Sequence, residues 1–160
     1  MFNTLADLTV LVAKSDEVMA GLNSEPEEVT CLQNQVIGTA LFVLRDLETW
    51  RRRWTSEIRN SYSEAPTVWR HRSKGMELSI RVQSPPKVYT FANLPSAIMP
   101  MLYNAALIHV LHILMSFQSK SNAKQEHAAA KLSAALEICR CFPYSSLRAS
   151  REGSNSSSLN

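Results

Sequence analysis

The chain has 160 residues, 45% of them hydrophobic and 19% charged, with a net charge of +3. That is enough apolar material for one domain with its own core, and too mild a charge to imply a strongly electrostatic partner. Four glycines against a large stock of Leu and Ala point to helices rather than a β-sandwich, and glycines so scattered exclude a phosphate-cradling loop. Three cysteines, Cys31, Cys139 and Cys141, make no disulfide framework and fit a reducing intracellular compartment. Met1 to Ala13 is apolar but contains Asp7, has no basic residues before it and no small-residue cleavage site after it, so no signal peptide is expected.

Phe2, Leu5, Leu8, Thr9 and Val12 recur at helical spacing, and Gly21 with Asn23-Ser24-Glu25-Pro26 closes a first, short helix as turn chemistry. A second helix is expected to start near Pro26, whose fixed φ suits a first turn, with Glu27 and Glu28 at its positive end. Val29, Leu32, Val36, Ala40, Val43, Leu47, Trp50 and Trp54 form its apolar stripe, while Arg45, Asp46, Glu48, Arg51, Arg52 and Arg53 fill other faces. The segment 59–95 reads mostly as loop, broken by Pro66, Gly75, Pro85 and Pro86. Leu78, Ile80 and Val82 alternate with polar residues as a strand would, yet no second strand is evident, and a lone strand leaves its backbone unpaired. No stable sheet is expected.

Asn93-Leu94-Pro95-Ser96 leads into Ala97 to Ser116, apolar nearly all round, and a helix of that kind must be enclosed. It is long enough to cross a bilayer. Asn104, His109, His112 and Ser116 within it and the missing basic flank favour a buried core helix instead. The last helix, about Ala123 to Cys141, carries the apolar residues Ala128, Leu132, Ala135, Leu136 and Ile138, and Pro143 is expected to stop it. The expected fold is all-α: an irregular bundle of about four principal helices with a loop-rich middle. Its domain is residues 1–147, and 148–160 is a disordered Ser/Asn-rich tail.

Residues able to carry chemistry have plainer readings. His109 and His112 stand three apart on one helix, a possible metal-ligand spacing to which Cys139 and Cys141 could add thiolates. With no nearby acidic partner and no second pair of ligands, the histidines read as core-associated and the cysteines as small hydrophobes. A Cys/His nucleophile lacks any pattern marking an oxyanion hole or an orienting acid. No catalytic, cofactor or metal residue is therefore assigned. Arg45, Arg51, Arg52, Arg53, Arg59, Arg70, His71, Arg72 and Lys74 interleave with Trp50, Trp54 and Trp69, the nearest thing to a nucleic-acid surface. Trp50 and Trp54 continue the second helix's apolar stripe, and Asp46, Glu48 and Glu57 dilute the charge, so a solvated helix face is the better account.

Three pieces carry a family resemblance. Leu44-Arg45-Asp46-Leu47-Glu48-Thr49-Trp50 with Trp54 resembles a Leu-x-x-Leu-x-x-Trp helix, and Phe91 to Phe117, with Leu102-Tyr103-Asn104-Ala105-Ala106 and Leu111-His112, resembles a long central helix. Ile138-Cys139-Arg140-Cys141-Phe142-Pro143-Tyr144 resembles a helix ending in Pro-Tyr. In that order and spacing, across residues 2 to 144, the chain is similar to the C-terminal regulatory region of fungal-specific zinc-cluster transcription factors. The resemblance implies an all-helical, non-enzymatic regulatory domain, located in the nucleus and engaged in transcriptional control, effector response or self-association. The family's six-cysteine DNA-binding cluster has no counterpart here, so sequence-specific DNA binding through it is not expected.

After Pro143-Tyr144 the sequence runs Ser145-Ser146-Leu147 in place of the family's Pro-Tyr-His-Leu-Gly. The chain is thus expected to be a fragment, a truncated product or a stand-alone regulator, with parts of Ala97 to Ser116 and of Ala128 to Ile138 left uncovered. Such faces mark association sites, with Leu111 and Leu136 as the positions to probe. A protein partner or self-association is expected, no membrane, and a small-molecule effector remains an option. The other reading is a small-molecule-binding accessory protein of fungal metabolism or biosynthesis, using a pocket between the central and final helices.

Overall fold

A computed structural model describes residues 2–20, 26–57, 60, 62–66, 87–118 and 121–155, with residues 2, 26, 65, 66, 121 and 142–155 given by backbone alone. Four helices and one small antiparallel sheet follow in the order α1 (Phe2–Ala20), α2 (Pro26–Ser56), β1 (Tyr62–Pro66), β2 (Lys87–Phe91), α3 (Leu94–Phe117) and α4 (Ser121–Asn155). The chain is predominantly helical, as its composition predicts.

α2 begins at Pro26 with Glu27 and Glu28 in its first turn, where carboxylates complement the unpaired N–H groups. Its predicted stripe faces the core: Val36, Ala40, Val43 and Leu47 are buried, and Val29, Leu32, Trp50 and Trp54 are partly buried. α1 meets it with Leu8, Leu11 and Val18. Trp50 stacks on Trp54 at 5.3 Å and on Tyr103 of α3 at 5.7 Å between ring centroids, closing that end of the core.

α3 starts three residues earlier than its apolar run. Asn93 caps it, its side-chain oxygen accepting from the Ser96 N–H at 2.9 Å, and Pro95 sits within the first turn. At the other end the Gln118 N–H closes on the Leu114 carbonyl at 2.9 Å. The helix is long and apolar enough to cross a bilayer, with a mean hydropathy of 1.6 over its most apolar window. Here α1 and α2 cover one side, where Tyr103, Ala106, Val110, Ile113 and Leu114 join their core. α4 and β2 pack on another, where Ala97 and Met101 meet Tyr89, Phe91 and Cys141. Asn104, buried in this apolar setting, donates to the Pro100 carbonyl at 2.9 Å and so needs no outside partner.

Three expectations are corrected. The expectation of no stable sheet fails: within 59–95, read as mostly loop, β1 and β2 pair, with Tyr62 opposite Phe91 and Pro66 opposite Lys87. An isolated hairpin is marginal in water; this one is held because Tyr89 and Phe91 bury against α3 and α4. The alternating stretch Leu78 to Val82 lies outside the described residues. Second, α4 does not stop at Pro143 but continues to Asn155, so 148–155, read from sequence as the start of a disordered tail, are helical in backbone. A proline inside a helix costs about 3 kcal/mol and removes one hydrogen bond; it does not forbid the helix, as Pro100 inside α3 also shows.

The third correction concerns which face of α4 turns inward. Ala134 and Cys141 are buried, whereas Ala128, Leu132 and Leu136 are exposed. α4 thus approaches α3 with small side chains, Cys141 lying in one cluster with Ala97 and Met101 of α3, and Leu132 and Leu136 are left outside.

Side chains on opposite sides of that distinction should behave differently. Leu114→Ala, at a fully buried position, is expected to destabilise the chain by about 2–5 kcal/mol. Leu132→Ala, at a site 63% exposed, should shift stability by less than about 0.5 kcal/mol. Urea midpoints of the two variants check both.

Candidate interaction surface

α4 runs antiparallel to α3, since Lys131 Nζ lies 3.5 Å from His112 Nδ1 near one end and Cys141 packs with Ala97 and Met101 near the other. Its outer face is an uncharged stripe. Gln125, Ala129, Leu132, Leu136 and Cys139 recur at spacings of 4, 3, 4 and 3, and all are exposed, with Leu132 at 63% and Leu136 at 50%. A spacing of that kind keeps residues on one helix face. Ala128 and Ala135 flank the stripe on one side and Glu126, Ser133 and Arg140 on the other, while Lys131 lies farther round the helix, against His112 of α3.

The C-terminal half of this stripe is held by a polar cluster on α4's flank. Tyr89 of β2 donates to Glu137 Oε2 at 2.7 Å, while Arg140 Nη1 donates to Glu137 Oε1 at 2.7 Å and to the Tyr89 oxygen at 3.3 Å. The guanidinium also lies over the Tyr89 ring, 5.9 Å from its centroid. Burial, then the bond to Glu137, pushes the Tyr89 phenol well above its ordinary range, so it serves as a fixed donor. Tyr62 packs 4.2 Å from Tyr89, ring centroid to ring centroid, and Lys87 bridges Glu64 at 2.6 Å across the strands, holding that carboxyl below its usual range. The sheet therefore clamps α4 in place. Sequence reasoning missed the clamp, because Lys87 to Phe91 sets Val88 and Tyr89 side by side and lacks the clean alternation of Leu78 to Val82.

The sequence's candidate chemical residues are not gathered into one site. His109 and His112 are exposed on α3, beside a cleft of about 370 Å³ lined with Val12, Asp16 and Met19 of α1. Cys141 lies against Met101, eleven residues or about 16 Å along α3 from His112. Among the described residues no group of three or more His, Cys, Asp or Glu could hold a metal. Burial, then the charge of Glu137, pushes the Cys141 thiol up to about 11, the opposite of an activated nucleophile. A second cleft, of about 450 Å³, opens between the end of α2 and the start of α3 at Trp54, Asn60 and Ser96. α4 lines neither cleft, so neither is the pocket expected between the central and final helices.

The basic cluster resolves in the same manner. Trp50 and Trp54 are stacked and partly buried, the Arg51 guanidinium lies 5.1 Å from the Tyr103 centroid and that of Arg45 lies 5.3 Å from the Phe42 centroid. Arg52 and Arg53 are exposed, and Arg59 and the run from Trp69 to Lys74 fall outside the described residues. Of the two positions named from sequence for probing packing or association, Leu111 is buried and Leu136 is exposed. No family model, no curated protein and no solved structure matches the chain.

Two measurements follow from this geometry. Tyr89→Phe deletes the donor to a partly buried carboxylate and should destabilise the fold by about 1–3 kcal/mol in denaturant titrations. Because the folded Cys141 thiol titrates near 11 rather than its ordinary 9.0, the native state holds its proton longer than the unfolded chain does. That stabilisation is complete below pH 9 and declines as pH rises towards 11. Cys141→Ala should flatten this decline in a pH series of unfolding midpoints.

Proposed function

We propose that the chain is a non-enzymatic regulatory domain that acts through protein–protein contacts, resembling the regulatory region of fungal zinc-cluster transcription factors without their DNA-binding module. On this reading it works in the nucleus and modulates transcription by association rather than by reading DNA itself. One observation carries the proposal: Leu132 and Leu136 lie one turn apart on the outer face of α4, largely exposed, on a helix whose inner face is already occupied. Exposed apolar side chains in a row on a clamped helix suit association. The dispersal of the histidines and cysteines, and a thiol held protonated, favour binding over catalysis.

The other reading, a small-molecule-binding accessory protein, draws on the cleft between α1 and α3, where Val12, Met19 and Ile113 supply apolar walls and Asp16, His109 and His112 polar groups. The contact reading ranks above it because that cleft contains neither of the leucines left exposed on α4.

Tethering tests the proposal. Fused to a heterologous DNA-binding domain, the chain should change the output of a nuclear reporter, and the Leu132→Glu/Leu136→Glu variant, whose sites are exposed, should lose that effect while keeping its melting temperature. A fusion with no effect, or an effect indifferent to both substitutions, would count against it. The chain alone should give no footprint on DNA at physiological salt.

A further inference from the structure

We infer that the cleft between α1 and α3 binds a free α-amino acid with a large apolar side chain, its ammonium group held by Asp16 of α1 and its carboxylate by His112 of α3. The inference rests on the small-molecule reading of this cleft, for which it names the ligand class, and leaves the contact reading of α4 untouched. At about 370 Å³ the cleft falls within the size range of small-molecule sites, and Val12, Met19 and Ile113 give it apolar walls for a ligand body.

One polar group within it is unpaired. Ser15 lines the cleft, is only 8% exposed, and its hydroxyl makes no hydrogen bond among the described residues. A buried hydroxyl without a partner costs free energy, and the polar end of a ligand in the cleft supplies one. Charge then narrows the ligand. Asp16, exposed and in no salt bridge among the described residues, puts a negative group on the α1 wall. On the α3 wall, Lys131 Nζ of α4 stands 3.5 Å from His112 Nδ1. An ammonium can only donate, so Nδ1 accepts and the ring's proton sits on Nε2, the donor left for a ligand, with the lysine's positive charge behind it. A plain carboxylic acid would be repelled by Asp16, and a plain amine by Lys131. A zwitterion with an apolar body suits both walls and the space between them.

Titration of the full chain with L-tryptophan, followed in proton–nitrogen correlation spectra, should move the amide signals of Ser15, Asp16 and Ile113 and leave those of Leu132 and Leu136 in place. The Kd should be about 0.1–1 mM, as befits a small ligand in an open cleft. N-acetyl-L-tryptophan, which lacks the ammonium, and tryptamine, which lacks the carboxylate, should each bind about fivefold more weakly, the worth of an ion pair at an exposed rim. Asp16→Asn should erase the preference over N-acetyl-L-tryptophan, and the double variant His112→Ala/Lys131→Met the preference over tryptamine. A retained melting temperature shows that each variant is folded. Equal binding of the three probes, or preferences that survive these substitutions, would overturn the inference while keeping the cleft as a binding site. No movement of the α1 and α3 signals up to the solubility limit of the amino acid would overturn both the inference and the small-molecule reading.

Discussion

α3 is apolar on nearly every face, and the rest of the molecule is arranged by the need to enclose it. No single partner can cover such a helix, because two packed cylinders hide only one stripe of each other. α1 and α2 therefore take the side bearing Val110, Ile113 and Leu114, while α4 and the hairpin take the side bearing Ala97 and Met101. The resulting two clusters share one axis. Polar groups within that axis are tolerated because their bonds are local: Asn104 turns back to the Pro100 carbonyl, and Ser116 donates to the His112 carbonyl at 3.0 Å.

Enclosure of α3 has a consequence for α4. Its buried inner positions, Ala134 and Cys141, are small, and Cys141 packs with Ala97 and Met101 of α3 and with Tyr89 and Phe91 of β2. The larger apolar residues of the same helix then have no place inside. Tyr89, Glu137 and Arg140 fix the helix about its own axis, so Leu132 and Leu136 cannot roll inward without breaking a cluster of charge-assisted hydrogen bonds. An exposed apolar face is thus a product of how the core was filled, and it supplies the surface on which the proposed association depends.

The features legible in the sequence were local. The start of α2 at Pro26, its acidic first turn and its buried stripe from Val36 to Leu47 follow from spacing and end chemistry within one segment. That α3 packs on more than one side follows from its apolar composition, although Ile98 and Leu102 remain more than a third exposed, and the stacking of Trp50 on Trp54 follows from their place in the α2 stripe. The hairpin was illegible for a physical reason: β1 and β2 are five residues each and separated by residues 67–86, so the pair is not stable until β2 packs on α3 and α4. The alternation of Leu78 to Val82 was set aside for want of a partner strand, and that stretch lies outside the described residues.

The sequence by itself determined that the chain is helical, where α2 begins and which face of α2 is buried, because period, capping and composition act over a few residues at a time. Only the tertiary structure decided which face of α4 points outward, since that depends on contacts with α3 and β2 distant in sequence, among them Tyr89, which lies 48 residues before Glu137 in the chain. Hydrophobicity marks a side chain as able to be buried; whether it is buried depends on the space its neighbours leave.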